Sequence, residues 1–508
     1  MAQTSCHAVI GVQIRSGLRV DRGSDTAVGP EVSDVTSLMA MAVAVGVWSG
    51  ERASSATRGI VAILGTGTVL WMARRWNRDF AAPLGTSSVR RSLTCGVLLL
   101  VVSILGHVRS DREWTAVSGI ELGPYRGDAV LRADPLLKGR AVYAVLELEG
   151  RRYDVWAYGP AGKRLSAHRF GETVRVEGVR TPLPDGTARR RHLRHVVGRF
   201  EVGTVGSTEA GSLSRASPMV RAAHRVRILL ARGARTLGVE VRALFAGLVY
   251  GDDSAQSPEM IERFRRSGLA HLTAVSGQNV AYVLAMASPF LTRLRRPVRW
   301  AATMGVLMWF VVLTRLEPSV LRAGLMAAVS ASVFAMGRRA TAWQVLGTAV
   351  TLGLVLDPFL LWSVGWWLSI SGAAGLIVLT PALSAGRPAE VQSRRSWLAP
   401  MAAAQIGVLP VSIAVFGVPS ALAIPANLLA VPIAGVVMLV GLPAALVAAW
   451  VPDGPARIVM LPLSFGVRWV DAVATLGARM RPPSAIDWCV ATSLVAWAAL
   501  RHRRHVPT

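Results

Sequence analysis

The sequence predicts a polytopic α-helical membrane protein with one small β-domain inserted between its helices. Of its 508 residues, 52% are hydrophobic and only 17% are charged. The mean hydropathy of +0.42 is typical of a chain with many membrane spans. Apolar runs of near-spanning length recur along the chain. Residues 109–205 interrupt them with short runs that alternate apolar and polar side chains, the period of a β-strand.

The chain is strongly basic, with a formal net charge of +26 and a pI near 11.6. Two interpretations are open. The charge suits a partner that carries phosphate, either lipid headgroups or nucleic acid. It also fits a membrane protein whose cytoplasmic loops are rich in arginine, combined with a coding bias towards arginine. Cys6, Cys95 and Cys489 lie in a polar tail and in two apolar runs, so neither a disulfide framework nor a thiolate metal site is indicated.

Residues 1–108 are predicted to form a polar tail followed by transmembrane helices. Residues 1–35 are polar and lack an apolar signal-peptide core, which predicts a disordered cytoplasmic tail. Residues 36–108 contain about three transmembrane helices, at 38–48, 59–72 and 93–108. Arginine is more frequent between the second and third runs than between the first and second, which predicts that residues after 108 lie outside the cytoplasm.

Residues 109–205 form the predicted extracytoplasmic β-domain. Five or six short strands in this length suggest a small barrel, and an OB-fold is the leading candidate on strand number and turn spacing. Aromatic and basic residues interleave here, as in proteins on which single-stranded bases stack. The alternative is that the aromatic rings fill the barrel core. The candidate DNA contacts are Arg151, Arg152, Tyr153, Trp156, Tyr158 and Arg164.

Residues 206–268 are predicted to form amphipathic, interfacial helices. From 215 to 237, apolar residues follow one helix face and arginines the other, which favours a helix on the membrane surface over one that binds nucleic acid. Ser257 and Pro258 mark a helix start, with Ser257 as N-cap and Pro258 in the first position.

The apolar core, residues 269–450, opens with an unusual segment. Residues 269–291 could cross a bilayer, yet the first part carries several polar side chains around Ser276 and Gly277. A glycine there lets another backbone approach or lets the helix break, and broken helices at membrane depth line cavities. We therefore expect this segment to form the wall of a pathway.

Arg322 is the only charge within the apolar run 320–336, where an arginine is either functional or paired with a carboxylate such as Glu317 or Asp357. The other buried polar groups either line the pathway or make ordinary interhelical hydrogen bonds, worth about 1 kcal/mol each. The candidate channel-lining residues are His271, Ser276, Gly277, Gln278, Asn279, Arg322, Ser369, Ser371, Gln405 and Asn427.

The last part, residues 451–508, is predicted to contain an interfacial helix, a final span and a basic tail. Arg468 and Asp471 make a full span between 458 and 476 unfavourable. The loops alternate between arginine-rich and arginine-poor, so both termini are expected in the cytoplasm.

Several ordered motifs resemble the ComEC competence family. They include Ala246 to Asp252, Glu262 to Gly268 and His271 to Gly277. Three later blocks agree with the family, beginning at Pro318, Asp357 and Gln405. The resemblance implies an inner-membrane channel that passes single-stranded DNA into the cytoplasm during natural transformation. Many members end in a metallo-beta-lactamase-like domain, and we expect none here; Gln278 and Asn279 also replace the more usual Leu-His.

Three functions remain open at this point: a DNA channel, a transporter of a smaller anionic or lipid-linked substrate, and a membrane hydrolase. The last is disfavoured because Ser276 lacks the glycine two residues earlier that a nucleophile elbow needs. No catalytic residue, metal or cofactor is expected, since the histidines lie among arginines without carboxylates at ligand spacing. The expected partners are single-stranded DNA, membrane lipids, a DNA receptor protein, a separate nuclease, a cytoplasmic ATP-driven motor and further copies of the chain in a homo-oligomer.

Overall fold

The computed structural model describes residues 31–52, 86–119, 121–184, 186–206, 218–273, 277–316, 318–338, 340–384, 398–418 and 420–480, with 487, 489, 492 and 493. These residues fall into two compact units. The barrel unit comprises 31–221 and 347–363, and the helical unit comprises 222–346 and the residues from 364 onwards.

The barrel unit begins with two helices, α1 (Glu31–Arg52) and α2 (Thr86–Ser118). They cross at two glycines: a side chain on Gly46 would collide with the Ser103 carbonyl, and one on Gly106 would meet the Val43 carbonyl. The tail was predicted to extend to residue 35, but α1 already begins at Glu31. The predicted run 59–72 lies outside the described residues.

The β-domain was predicted to begin at residue 109, and this boundary is wrong. Helix α2 continues for ten residues beyond the apolar run 93–108, through a charged stretch that ends at Ser118. Arg109 and Glu113 pair one turn apart at 3.2 Å. Trp114 and Val117 on the same stretch pack against the barrel core.

Six strands follow, and five of them close into the predicted barrel. They are β1 (Gly123–Leu131), β2 (Leu136–Lys138), β3 (Ala141–Leu148), β4 (Arg151–Tyr158), β5 (Thr173–Thr181) and β6 (Val196–Gly206). Their order is β1-β5-β6-β4-β3-β2, and a further β1–β3 pairing closes the barrel. Only β4 and β6 pair in parallel, and helix α3 (Gly159–Ser166) precedes β5. Five strands in a closed Greek key of this order confirm the OB-fold prediction.

The strand alternation decides which barrel side chains are buried. Leu146, Tyr153, Val155 and Phe200 point inwards and form the core. A short helix, α4 (Ala188–His192), lies in the loop between β5 and β6.

The helical unit contains eleven helices in its described part, two of which, α5 and α11, are shared with the barrel unit. They are α5 (Pro218–Gly233), α6 (Val239–Tyr250), α7 (Pro258–Arg266), α8 (Gly277–Leu291), α9 (Arg296–Leu313), α10 (Pro318–Ala335), α11 (Ala342–Leu356), α12 (Val364–Ser384), α13 (Leu398–Phe416), α14 (Ala423–Trp450) and α15 (Asp453–Arg479). Four of these, α12 to α15, are long and apolar enough to cross a membrane. A polytopic helical membrane protein with an inserted barrel is therefore confirmed.

The region predicted to be amphipathic is only partly so. Helix α5 has the expected buried stripe of Ala223, Leu230 and Gly233. Gly233 packs directly on the backbone of Ala445 in α14, so this stripe contacts the helical core. Helix α6 differs from the prediction, because every residue from Ala243 to Tyr250 is buried. The position of this region, residues 206–268, at a membrane surface stays a prediction.

Helix α15 is continuous through Arg468 and Asp471, the two charges that argued against a span. Asp471 accepts a hydrogen bond from Arg263 on α7 at 2.8 Å, which offsets one of these charges within the fold. The interfacial placement of this helix stays a prediction.

Candidate functional site

The first candidate surface is the outer face of β3 and β4. Tyr143 pairs with Trp156 across the two strands, and their rings lie 5.1 Å apart. Strand alternation points both rings away from the core. In an OB-fold this face, flanked by the loops before β3 and before β6, is where oligonucleotides and oligosaccharides bind.

Both flanking loops bring a cation to these rings. Lys138, the last residue of β2 in the connection between β1 and β3, places its ammonium 4.5 Å from the Tyr143 ring centre and 5.7 Å from that of Trp156. Arg191, from α4, lies 5.3 Å from the Tyr143 ring. Cation–π contacts of this kind make the face a combined aromatic and basic surface.

A buried carboxylate orients this cluster. Asp154 accepts a hydrogen bond from the Tyr143 hydroxyl at 2.9 Å and pairs with Arg191 at 2.9 Å. Burial, with the Asp154 charge beside it, raises the pKa of Tyr143 to about 12. The phenol therefore stays protonated as a donor to Asp154 across the physiological pH range.

The six predicted DNA contacts differ in whether the barrel exposes or buries their side chains. Tyr153 is a wrong prediction, because it is 1% exposed and fills the barrel core. Tyr158 is 59% exposed, and Trp156 lies partly exposed on the outer face. Arg164 is exposed and donates to the Val205 carbonyl, whereas Arg151 donates to the Gly119 carbonyl.

Arg152 lies on the outer face 4.0 Å from Glu147. Sequence reasoning missed Lys138 and Arg191 as members of this surface. Strand alternation could have placed Tyr143 beside Trp156, but the two cations come from β2 and α4, in connections whose path depends on barrel closure.

The second candidate surface lies in the helical unit, where one predicted span is broken. The segment 269–291 is not one helix: a 3-10 turn covers Ala270–Leu272, and α8 begins only at Gly277. A side chain on Gly277 would lie 2.9 Å from the Ala323 methyl group. Close approach of α10 therefore explains why a glycine stands at the start of α8.

Polar side chains satisfy the backbone around this break. Helix α6 ends at Gly251, which adopts the left-handed conformation with φ of 73°. Asn279 donates to the Leu248 carbonyl, and Gln256 donates to the Thr273 carbonyl, both at 2.8 Å. Ser257 caps α7 by accepting from the Met260 amide, as predicted.

Two arginines and one aspartate form a charged cluster beside the break. Asp252 accepts from Arg227 at 2.8 Å and from Arg315 at 3.4 Å. Arg227 also donates to the Leu313 carbonyl at 2.9 Å, which joins α5 to the end of α9. The three side chains carry a net charge of +1.

Arg322 is 8% exposed on α10. Its guanidinium carbon lies 5.9 Å from the ring centre of Trp366 on α12. Glu317, one of its two predicted carboxylate partners, lies outside the described residues. Packing against an aromatic ring was not predicted, because the two residues are far apart in sequence.

Comparison with known families identifies the chain. The sequence profile of the Competence protein family matches residues 248–505, about half of the chain. The chain belongs to the Competence protein family. The match begins at Leu248, whose carbonyl binds Asn279, so the broken-helix region lies within the family's characteristic part.

Curated relatives agree with this family. Competence protein ComA of Neisseria gonorrhoeae is 31% identical over 26% of this chain, and ComE operon protein 3 of Bacillus subtilis is 30% identical over 36%. The uncharacterized protein YcaI of Escherichia coli is 26% identical over 38% of the chain. The alignments span only 21%, 24% and 27% of the lengths of ComA, ComE operon protein 3 and YcaI. No solved structure matches.

The remaining predicted channel residues are not gathered into one site by the described contacts. His271 is exposed in the 3-10 turn, and Gln278 is exposed and donates to the Tyr282 hydroxyl at 2.7 Å. Ser276 lies outside the described residues. Ser371 and Asn427 donate to carbonyls of their own helices, whereas the alternative interpretation expected hydrogen bonds between helices. Ser369 and Gln405 are partly buried on α12 and α13, and their channel role stays a prediction.

Proposed function

We propose that this protein acts in DNA uptake during competence, as a channel of the cell membrane that passes single-stranded DNA into the cytoplasm. The observation that carries the proposal is the Competence family match over residues 248–505. The OB-fold barrel and the broken-helix region supply two surfaces suited to the substrate.

The barrel is proposed to lie outside the cytoplasm and to receive the strand on its β3–β4 face. Trp156 and Tyr158 offer rings on which bases stack, worth about 1–3 kcal/mol per base by alanine substitution in other proteins. Lys138 and Arg191 bring positive charge to the same face, where phosphates pass.

The broken-helix region is proposed as part of the path through the membrane. Broken helices occur at membrane depth where they line a cavity. The cluster of Arg227, Arg315 and Asp252 has excess positive charge, and Arg322 adds another. A polyanion gains from such groups because guanidinium binds phosphate in a bidentate manner.

A second candidate function is transport of a smaller anionic or lipid-linked substrate. The excess positive charge of the cluster of Arg227, Arg315 and Asp252 would serve any anion, so it supports such a substrate as well as DNA. The two functions predict different cargo through the same helices.

Uptake of labelled DNA decides between them. A strain that lacks the gene is complemented with the wild type, with Trp156→Ala, or with Val179→Ala as a matched change at another exposed barrel position. The proposal expects wild type and Val179→Ala to restore uptake and Trp156→Ala to reduce it by about tenfold, the loss of one stacked base. If the wild-type gene restores no DNA uptake although its protein reaches the normal level, the DNA-channel proposal is rejected.

Arg322 provides the residue-level test within the helices. If it serves the conducted strand, Arg322→Gln and Arg322→Lys reach normal levels in the membrane, Gln abolishes uptake, and Lys retains part of it because charge survives without bidentate geometry. If Arg322→Gln lowers the amount of folded protein instead, the arginine is structural.

A further inference from the structure

The connection between α8 and α9 carries a dense group of arginines. Four of them occur within seven residues, at Arg293, Arg295, Arg296 and Arg299. The first three are exposed, and Arg338, which is exposed shortly after the end of α10, adds a fifth. We call these five residues the arginine patch.

Two side-chain contacts bring the start of α9 and the end of α10 together. The Trp300 indole N–H donates to the Ser332 hydroxyl at 3.0 Å, and the Arg299 guanidinium carbon lies 4.8 Å from the centre of the Phe334 ring. Arg338 follows Phe334 by four residues, so it lies at the same end of this helix pair. The patch is therefore one surface built from two connections of the chain.

The arginine patch has no carboxylate partner among the described residues, because the ion pairs found there leave its members out. Between residues 263 and 356 the sequence holds one acidic residue, Glu317, which directly precedes α10. The 18 residues of α10 place its start about 27 Å from its end, where the patch lies. In contrast, Arg265 and Arg266 on α7 both pair with Glu262 at 2.8 Å. The patch therefore keeps a positive charge that suits an anion from outside the described chain.

Exposed apolar side chains stand between the arginines. Leu294 is 37% exposed, Val298 52%, Trp300 41% and Met336 61%. A polyanion dissolved in water would leave these side chains in contact with water. At the boundary between lipid headgroups and acyl chains, apolar side chains and arginine stems enter the acyl region, while indole and guanidinium groups stay at headgroup level. The mixture therefore favours a lipid over a nucleic acid as the anion.

We propose that the arginine patch binds the phosphate of an anionic phospholipid. A guanidinium group forms two parallel hydrogen bonds with a phosphate, and clustered arginines at a membrane surface attract negatively charged lipids. The turn that carries the patch is held by its backbone: the Leu294 amide donates to the Leu291 carbonyl at 3.1 Å, and the Arg299 amide donates to the Arg295 carbonyl at 2.8 Å. The bound lipid joins the ends of α8, α9 and α10 at the bilayer surface. The inference does not depend on what the helices conduct.

Native mass spectrometry of the full-length protein in detergent tests the proposal. Phosphatidylglycerol and phosphatidylcholine with the same acyl chains are added separately at one fixed ionic strength. We expect phosphatidylglycerol to bind about tenfold more tightly or better, because its net negative charge is attracted to the patch, whereas choline cancels the charge of phosphatidylcholine. Equal affinity of the wild type for the two lipids would overturn the proposal.

Two matched double variants locate the site. Arg295→Gln/Arg296→Gln should weaken phosphatidylglycerol binding by about 30-fold, which is about fivefold for each arginine. Arg265→Gln/Arg266→Gln removes the same two charges from the adjacent pair held by Glu262, and should leave the affinity unchanged. An equal loss of affinity in the two variants would refute the site.

Folding of each variant is checked by a monodisperse peak in size-exclusion chromatography. Arg295→Lys/Arg296→Lys keeps both charges without the bidentate geometry, so it should lose less affinity than the Gln variant. If the Gln variant is not monodisperse, Arg293→Gln takes its place, with an expected loss of about fivefold. Unchanged affinity in a monodisperse Arg293→Gln protein would then count against the site.

Soluble competitors separate a lipid from other sources of phosphate. Glycerol phosphate carries the charge of the headgroup without acyl chains, and a single-stranded oligonucleotide carries many phosphates without them. Neither should displace bound phosphatidylglycerol when present at the same concentration as the lipid. Displacement by glycerol phosphate would show that the patch binds any phosphate, and displacement by the oligonucleotide would make nucleic acid its ligand. Either result contradicts the lipid assignment.

Discussion

The substitution Asp252→Asn tests the largely buried cluster that Asp252 forms with Arg227 and Arg315. It removes the only described negative charge of this cluster and preserves the shape of the side chain. In the wild type, Asp252 faces Arg227 at 2.8 Å and Arg315 at 3.4 Å. Both arginine side chains are mostly buried, so they cannot turn fully into solvent. The amide that replaces the carboxylate leaves two guanidinium groups close together without a counter-charge.

The expected cost follows from the burial of the cluster. Removing one partner of a fully buried pair costs about 3–5 kcal/mol because the other charge is left uncompensated. Asp252 is 24% exposed, and asparagine can still accept one hydrogen bond. We therefore expect a loss of about 2–3 kcal/mol, which lowers the apparent unfolding midpoint by about 2–3 °C, because the entropy of unfolding grows with chain length.

The midpoint is measured by heating detergent-solubilised protein at one fixed rate and following the monodisperse fraction by size-exclusion chromatography. Asp253→Asn is the matched control, since it makes the same chemical change at the next, exposed position. Adding Arg315→Gln to Asp252→Asn should recover part of the loss, because one uncompensated charge disappears. A midpoint for Asp252→Asn equal to that of Asp253→Asn would refute the assignment of a coupled cluster.

Four further outcomes are expected. Hydrogen bonds from Arg132 lower the pKa of Glu147, so the stability they provide is present above the ordinary glutamate pKa and is lost as pH falls through the folded value. Exchange in β3 should rise below about pH 4.5, and Arg132→Gln should flatten that rise. Gly407→Val should lower the yield of folded protein, since Gly407 lies against the backbone of Gly375, whereas Gly305→Val should not, because no atom lies within 4 Å of its added Cβ. An introduced barrel cysteine should react with an impermeant reagent in intact cells; reaction only after lysis would contradict an extracytoplasmic barrel. Purified protein should show no divalent-metal-dependent nuclease activity, and cleavage that a point change in this chain abolishes would contradict this.

Local patterns in the sequence were sufficient for several elements. Alternating side chains in 141–148 and 151–158 predicted two strands, because an exposed barrel face and a packed interior impose a period of two. Ser257 followed by Pro258 predicted the start of α7, since both residues act on the first helical turn alone. Hydropathy predicted the long apolar helices, because a bilayer constrains composition over a single segment.

The contacts that assemble the sites were decided by tertiary structure. Tyr153 and Trp156 both lie on β4, yet barrel closure buries the first and leaves the second outside. The segment 269–291 has α8 beginning at Gly277, and the close approach of Ala323 from α10 to this glycine could not be read from the sequence.

His195 shows the same limit most clearly. The sequence placed it among arginines and predicted no carboxylate partner, but the fold brings Glu113 and Asp357 to its two nitrogens. The sequence by itself therefore determined the membrane class, the strands and the helix starts, which depend on interactions within a few residues. Only the folded chain decided the charge clusters, because Coulomb and cation–π interactions depend on distance in space and on burial, and neither can be read from separation along the chain.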